Sequence, residues 1–202
     1  MNYKFEESIQ KIKNLMKENG GYVTSKMVKE QKIHLMYLKK MLDEKMIERI
    51  SRGIYIDVNA IEDVYYTLQL RYPKVVFSRF TALYFYGLTE IYPSTFDLTV
   101  PANYHVEELN RKHSVVKCRD DLFSIGLINI YTSLGHKVNV YDMERCICDI
   151  IKYRHKLDLE QVKKSVKMYV ASDDKNLSHL SSYSKQMGIY KDVMEFVGMY
   201  YE

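Results

Sequence analysis

The first 58 residues arrange hydrophobic and polar positions in the order of three helices and a hairpin. Apolar side chains recur every three or four positions over residues 5–19, which predicts an amphipathic helix that a pair of glycines ends. A short extended segment then precedes a second helix over residues 24–30. A third helix is expected from about Ile33 to Glu44. The apolar-rich runs within residues 46–58, separated by a tight turn, predict a β-hairpin.

From residue 61 onward the pattern changes to short β-branched runs that give way to helices. A helix over residues 61–71 comes first and is expected to connect two domains. Strand-like segments then come mainly first and helical segments mainly last, which favours an α+β arrangement. The predicted strands cover residues 75–77, 96–100, 114–118, 125–132 and 137–141, and the predicted helices cover 79–86, 142–153, 159–170, 177–187 and 190–200.

Helix, helix, turn, helix and hairpin is the element order of a winged helix-turn-helix. The third helix fits a recognition helix, because Leu35, Leu38 and Leu42 form one apolar stripe. The face opposite this stripe would point into the major groove, and it carries Ile33, Met36, Tyr37, Lys40 and Glu44. The predicted fold class is therefore α+β, with a winged helix-turn-helix over 1–58, a linker helix over 59–74 and a mixed α/β domain with a helical C-terminal tail over 75–202.

The predicted DNA contacts lie on three parts of the N-terminal domain and on the second domain. The second helix contributes Ser25, Lys26 and Lys29, the third helix and the turn before it contribute Lys32, His34, Tyr37, Lys39 and Lys40, and the wing contributes Arg49 and Arg52. Additional contacts from the second domain are expected from Arg79, Arg111, Lys112 and His113.

The charge distribution agrees with this assignment. The net charge is +4, and residues 1–58 hold all of it, with 12 Lys/Arg against 8 Asp/Glu. A local positive field attracts polyanions and raises their association rates. The same pattern also fits a solvated lysine-rich surface or a protein-interaction module, in which Tyr37 would be a packing residue and Lys39-Lys40 a solubilising face.

No catalytic or metal-binding constellation stands out in the sequence. The six histidines are scattered, no Cys-x-x-Cys or His-x-x-x-His pair occurs, and no glycine-rich phosphate loop is present. Glu144 could pair with Lys152, or Arg145 with Asp149 at i, i+4, as a surface or half-buried ion pair, and this reading is favoured over a catalytic carboxylate pair. We therefore expect a protein that is not an enzyme and needs neither a cofactor nor a metal.

Three cysteines, the lack of a signal-peptide pattern and the lack of a long apolar stretch predict a cytoplasmic protein with no membrane association.

Three segments resemble the AbiEi family of abortive-infection antitoxins. The hairpin Met46-Ile-Glu-Arg-Ile-Ser-Arg-Gly-Ile-Tyr55 is similar to the family's Arg-Gly-aliphatic-Tyr turn. The segment Phe77-Ser-Arg-Phe-Thr-Ala-Leu-Tyr-Phe-Tyr-Gly-Leu-Thr89 resembles its Ser-x-x-(Ser/Thr)-Ala-Leu…Gly-Leu signature. The segment Val140-Tyr-Asp-Met-Glu-Arg-Cys-Ile-Cys-Asp-Ile-Ile151 resembles its Glu-Arg-(Thr/Cys)-x-x-Asp helix. In this order they cover roughly residues 20–155.

The resemblance implies a transcriptional repressor that binds inverted repeats in its own promoter. It also implies an antitoxin that counters a cognate nucleotidyltransferase toxin without forming a stable complex, the type IV arrangement of a phage-resistance system. The partner expected from this assignment is double-stranded DNA, and the protein is expected to be a monomer in solution that could bind DNA cooperatively.

Two alternatives from other classes stay open at this point. The chain could be a nucleic-acid-modifying enzyme that a winged helix targets, or a protein-interaction adaptor.

Overall fold

The computed structural model describes residues 3–201, which form eleven α-helices and two β-sheets. The predicted α+β class is confirmed. The chain divides into two compact units. The first runs to Pro73 and includes Tyr131–Lys137, and the second comprises Lys74–Ile130 and the chain from Val138 onward.

The first unit consists of helices around a small antiparallel sheet with strand order β1-β3-β2. Its elements are α1 (Tyr3–Glu18), β1 (Tyr22–Thr24), α2 (Ser25–Glu30), α3 (Met36–Asp43), β2 (Ile47–Ser51), β3 (Ile54–Asp57) and α4 (Val64–Arg71). One core cluster is built around Ile12, Val28, Leu38 and Met41, all of which are buried. The helix predicted as a linker, α4, packs against the sheet through Tyr66 and Leu70.

The helix α3 begins three residues later than the pattern predicts, because Lys32 adopts a left-handed conformation with φ of 56°. The amide of Lys32 donates to the carbonyl of Lys29, and the amide of Ile33 donates to that of Val28. This bonding closes α2 in a Schellman motif and turns Ile33 into the core. The prediction that Ile33 lies on the exposed face of the third helix was therefore wrong.

The second unit contains a five-stranded mixed sheet with strand order β6-β5-β4-β8-β7. Strand β4 is antiparallel to β5 and parallel to β8, and β5 is parallel to β6. The strands are β4 (Val76–Phe77), β5 (Asp97–Pro101), β6 (Ser114–Cys118), β7 (Leu127–Tyr131) and β8 (Lys137–Tyr141). The helices are α5 (Arg79–Phe85), α6 (Glu107–Asn110), α7 (Asp120–Phe123), α8 (Met143–Lys152), α9 (Leu159–Ala171), α10 (Leu177–Gln186) and α11 (Tyr190–Gly198), with a 3-10 turn at Arg154–Lys156.

The helix α8 is central to the second unit, and every residue from Glu144 to Ile151 is buried. Asp142 begins it, because its side chain accepts a hydrogen bond from the amide of Arg145. The elements predicted around it are present with bounds shifted by a few residues. The one-turn helices α6 and α7 were not predicted, because four residues are too few to show a helical period.

Candidate nucleic-acid interface

The turn between β2 and β3 lies against the start of α2. The amide of Ser25 donates to the carbonyl of Gly53 at 2.8 Å. Gly53 has φ of 74°, and a Cβ added there would stand 3.4 Å from the Ser25 hydroxyl. A glycine thus permits both the backbone conformation and the close approach. The arrangement places Arg52, at the tip of the hairpin, beside the first turn of α2.

The predicted cationic contacts are on the surface of the first unit. Ser25 and Tyr37 are half-buried, whereas the basic side chains are exposed: Lys26, Lys29, Lys32, His34, Lys39, Lys40, Arg49 and Arg52. Two of them make ion pairs, Lys26 with Glu30 at 3.8 Å and Lys40 with Glu44 at 3.9 Å. Exposed pairs of this length are weak, so these lysines are free to exchange partners.

Five of these cations have no carboxylate within salt-bridge distance in the described part of the chain: Lys29, Lys32, Lys39, Arg49 and Arg52. Charge is also distributed unevenly along the segment. Residues 25–40 contain five lysines and one glutamate, whereas residues 41–48 contain three acidic residues and one lysine. The excess of positive charge therefore belongs to α2, the following turn and the part of α3 up to Lys40.

The exposed face of α3 differs in part from the predicted one. Met36 is 60% exposed and Lys39 and Lys40 are exposed beside it. Tyr37 is half-buried, with its ring centroid 5.7 Å from that of Phe5 on α1. The ammonium of Lys40 stands 3.6 Å from the centre of the same Phe5 ring. Tyr37 is therefore a packing residue as well as a candidate DNA contact. Met36 was predicted on the exposed face but not among the DNA contacts, and it is the more exposed of the two.

His34 supports the start of α3 through its ring. Its Nδ1 accepts a hydrogen bond of 3.1 Å from the amide of Met36, which the helix leaves without an internal partner. Because Nδ1 is the acceptor in this hydrogen bond, Nε2 is the ring nitrogen left to act as a donor. His34 thus offers one N–H donor at the positive end of α3.

Arg79, one of the four contacts predicted on the second unit, does not reach the surface. Arg79 is buried, forms an ion pair of 2.9 Å with Asp97 and donates at 2.8 Å to the carbonyl of Ser114. Its backbone φ of 45° shows that this position is held by the surrounding structure. The expectation that Arg79 contacts DNA was wrong, because its guanidinium is used inside the fold.

His113 is half-buried and stacks on Phe96 with a centroid distance of 5.2 Å. Burial, reinforced by the charge of Lys112, lowers the pKa of His113 and so disfavours its charged form. Of the predicted second-domain contacts, Arg111 and Lys112 are exposed.

The segment Glu144, Arg145 and Asp149 is buried rather than at the surface. Arg145 donates to Asp149 at 3.1 Å and to the carbonyls of Leu122 and Ile125 at 2.6 and 2.9 Å. Glu144 accepts hydrogen bonds from the hydroxyl of Tyr169 and the amide of Asn176. The predicted pair of Glu144 with Lys152 is therefore replaced by these contacts. These groups connect α8 to α7 and the turn after it, to α9 and to the start of α10.

One group of possible metal ligands is present in the described residues. Ligand atoms of Asp142, Glu144 and His179 lie within 4.8 Å of one another. The two carboxylates already accept hydrogen bonds, Asp142 from the amide of Arg145 and the hydroxyl of Tyr183. Their arrangement follows from capping α8 and anchoring the start of α10.

Compared with known protein families and curated proteins, the chain matches no family model and no curated relative. Among residues 3–201, no helix is both long enough and apolar enough to cross a bilayer.

Proposed function

We propose that this protein is a winged helix-turn-helix DNA-binding protein that represses its own promoter. The observation that carries the proposal is the set of exposed cations without ion-pair partners on α2, the turn after it, α3 and the hairpin. The hydrogen bond between Ser25 and Gly53 strengthens it, because it fixes the hairpin tip beside α2. Phosphate contacts of this kind position a protein on the duplex, and base contacts from the recognition helix add the specificity.

In this proposal α3 enters the major groove with its N-terminal half. Met36 and Lys39 would reach base edges, and His34 would donate from Nε2. Lys26, Lys29 and Lys32 would contact the phosphates that flank the groove. Arg49 and Arg52 on the hairpin would contact the neighbouring backbone or minor groove, as wings do.

The DNA-binding proposal is tested by gel shifts on the region upstream of the gene at two salt concentrations. We expect specific binding to inverted repeats, with log K falling by about 0.9 per phosphate contact for each unit of log salt. Lys29→Ala should reduce this slope by about one unit. Lys167→Ala, an exposed lysine of the second unit, is the matched control and should change nothing. Equal affinity for random duplex would contradict an operator-specific repressor.

We further propose that the protein is the antitoxin of a type IV pair, acting in phage resistance against a nucleotidyltransferase toxin. The three motifs of the AbiEi resemblance support this, and the burial of Glu144, Arg145 and Asp149 is what a fold-defining motif requires. Neutralisation would occur without a stable complex between the two proteins.

The antitoxin proposal is tested by co-expressing the full chain with the product of the neighbouring reading frame and scoring viable counts. Rescue is expected, without co-purification of the two proteins. A Lys29→Ala, Lys39→Ala double variant should still rescue when expressed from a foreign promoter, because the antitoxin effect does not need the DNA-binding surface. Failure of the wild-type chain to rescue would contradict the antitoxin role and leave the repressor role standing.

A further inference from the structure

The strand β7 is an edge of the five-stranded sheet with an uncharged, apolar sequence. Its residues read Leu-Ile-Asn-Ile-Tyr over 127–131. Leu127 is 37% exposed, Ile128 40% and Tyr131 72%. In the described part of the chain β7 pairs only with β8, which leaves its outer edge open.

Open edges of natural sheets usually carry a charge or a proline that blocks pairing with another chain. The opposite edge, β6, follows this rule, because Lys117 lies within it and is exposed. β7 has neither device. An uncharged and exposed edge strand is a template for a further strand.

The sequence of β7 is close to a palindrome centred on Asn129. In an antiparallel pair of two β7 strands with Asn129 opposite its own copy, Ile128 stands opposite Ile130 of the other copy. Leu127 then stands opposite Tyr131. One face of the pair gains four isoleucines, and the other gains two leucine–tyrosine pairs beside the central asparagines. Aromatic–aliphatic and β-branched neighbours are the pairs that stabilise antiparallel strands.

We propose that a second copy of this chain pairs with β7, in antiparallel register about Asn129, to give one continuous ten-stranded sheet. A contact of five residues on each side is smaller than a stable interface requires, so association is weak in dilute solution. Two copies bound to adjacent half-sites on DNA are held at high effective concentration, and the pairing then becomes cooperative binding. This last step rests on the proposed DNA-binding function, whereas the strand pairing does not.

Disulfide cross-linking of the full-length chain at high protein concentration tests the register. In the proposed pair the two copies of residue 129 face each other at about 4.5–5.5 Å between Cα atoms, so Asn129→Cys should form a covalent dimer under oxidation. The two copies of residue 131 are offset by four residues, about 13 Å, so Tyr131→Cys alone should not cross-link. A mixture of Leu127→Cys and Tyr131→Cys chains should cross-link. The native cysteines are buried, so the wild-type chain serves as the background.

A charge on the strand supplies the second test. Adding Ile128→Lys to the Asn129→Cys chain should abolish the cross-link, whereas adding Ile91→Lys should not. Ile91 is 60% exposed and lies outside the sheet, so it is the matched control. On DNA, Ile128→Lys should bind a single half-site like the wild type and lose cooperativity on two half-sites.

The outcomes separate this inference from the proposed function. A covalent dimer of the Asn129→Cys chain in the absence of DNA supports β7 pairing even if no operator is bound. No cross-link from Asn129→Cys, or equal cross-linking of Asn129→Cys and Tyr131→Cys, would overturn the pairing while leaving operator binding intact. Cooperativity that Ile128→Lys leaves unchanged would overturn its link to DNA binding.

Discussion

Oδ2 of Asp63 lies 2.9 Å from Nδ1 of His136, although 73 residues separate the two in the chain. Asp63 also caps the N-terminus of α4, since its other carboxylate oxygen accepts hydrogen bonds from the amides of Tyr65 and Tyr66. The His136 ring stacks on Tyr66 with a centroid distance of 4.5 Å. One carboxylate therefore both caps α4 and anchors the β7–β8 turn within the first unit.

Asp63→Ala should lower the free energy of unfolding by about 2–4 kcal/mol. The helix cap is lost, and the buried hydroxyl of Thr132 and Nδ1 of His136 lose their acceptor. Asp158→Ala is the control, because Asp158 caps α9 through two amides but is exposed, and its carboxylate accepts no other hydrogen bond within residues 3–201. Asp158→Ala should lower the free energy of unfolding by about 1 kcal/mol. Urea unfolding of the two variants measures the difference, and equal losses would contradict the anchoring role.

Gly20 provides a second prediction, because it packs against the same histidine. Its φ is 60°, and a Cβ added there would stand 2.2 Å from Nε2 of His136. Gly20→Ala combines left-handed strain with a clash against a ring that Asp63 and Tyr66 hold in place. Gly87 has φ of 68° with nothing within 4 Å of an added Cβ, so Gly87→Ala isolates the strain, about 1–2 kcal/mol. Thermal melts should show the larger loss for Gly20→Ala, and a smaller one would mean that the His136 ring moves aside freely.

These contacts show where prediction from sequence succeeds and fails. The order of elements was predictable because it depends on local periods and caps, as with Asp142 before α8. The exposed lysines of α2 and α3 were predictable for the same reason. Arg79 was misassigned because nothing local distinguishes an exposed arginine from one that pairs with a carboxylate 18 positions away. The Asp63–His136 contact has no sequence signal at all, since it depends on where the β7–β8 turn lies in three dimensions.

Lys32 and Lys45 support a third prediction. Both occupy left-handed positions that end a helix, with φ of 56° and 54°, where glycine is the favoured residue. Lys32→Gly and Lys45→Gly should each raise the free energy of unfolding, by up to about 1 kcal/mol. Only Lys32 is a proposed DNA contact, so only Lys32→Gly should weaken binding and lower the salt slope. Melts and gel shifts on both variants separate the effects, and equal loss of binding would place Lys45 on the DNA as well.

Arg145 supports the last prediction, which concerns the buried pair in α8. The side chains of Arg145 and Asp149 are 2% and 6% exposed. Burial lowers the pKa of Arg145, but attraction by Asp149 raises it above its usual value. The guanidinium therefore stays charged. Arg145→Ala removes three hydrogen bonds to oxygen and leaves the carboxylate of Asp149 buried without its cation. Breaking a buried pair in this way costs about 3–5 kcal/mol.

Arg145→Lys should recover only a small part of that loss, because an ammonium cannot reproduce the planar array of donors that reaches Asp149 and two carbonyls together. Arg154→Ala is the control, since Arg154 is half-buried, pairs with the exposed Asp192 at 2.8 Å and donates to the carbonyl of Ile151. Its loss leaves no fully buried carboxylate behind, so it should cost about 1 kcal/mol. Urea unfolding of the three variants ranks them. If Arg145→Ala were no more destabilising than Arg154→Ala, then Arg145 would not hold α7, through Leu122, and the turn after it, through Ile125, against α8. The resemblance of this segment to a family motif would then require an explanation other than stability.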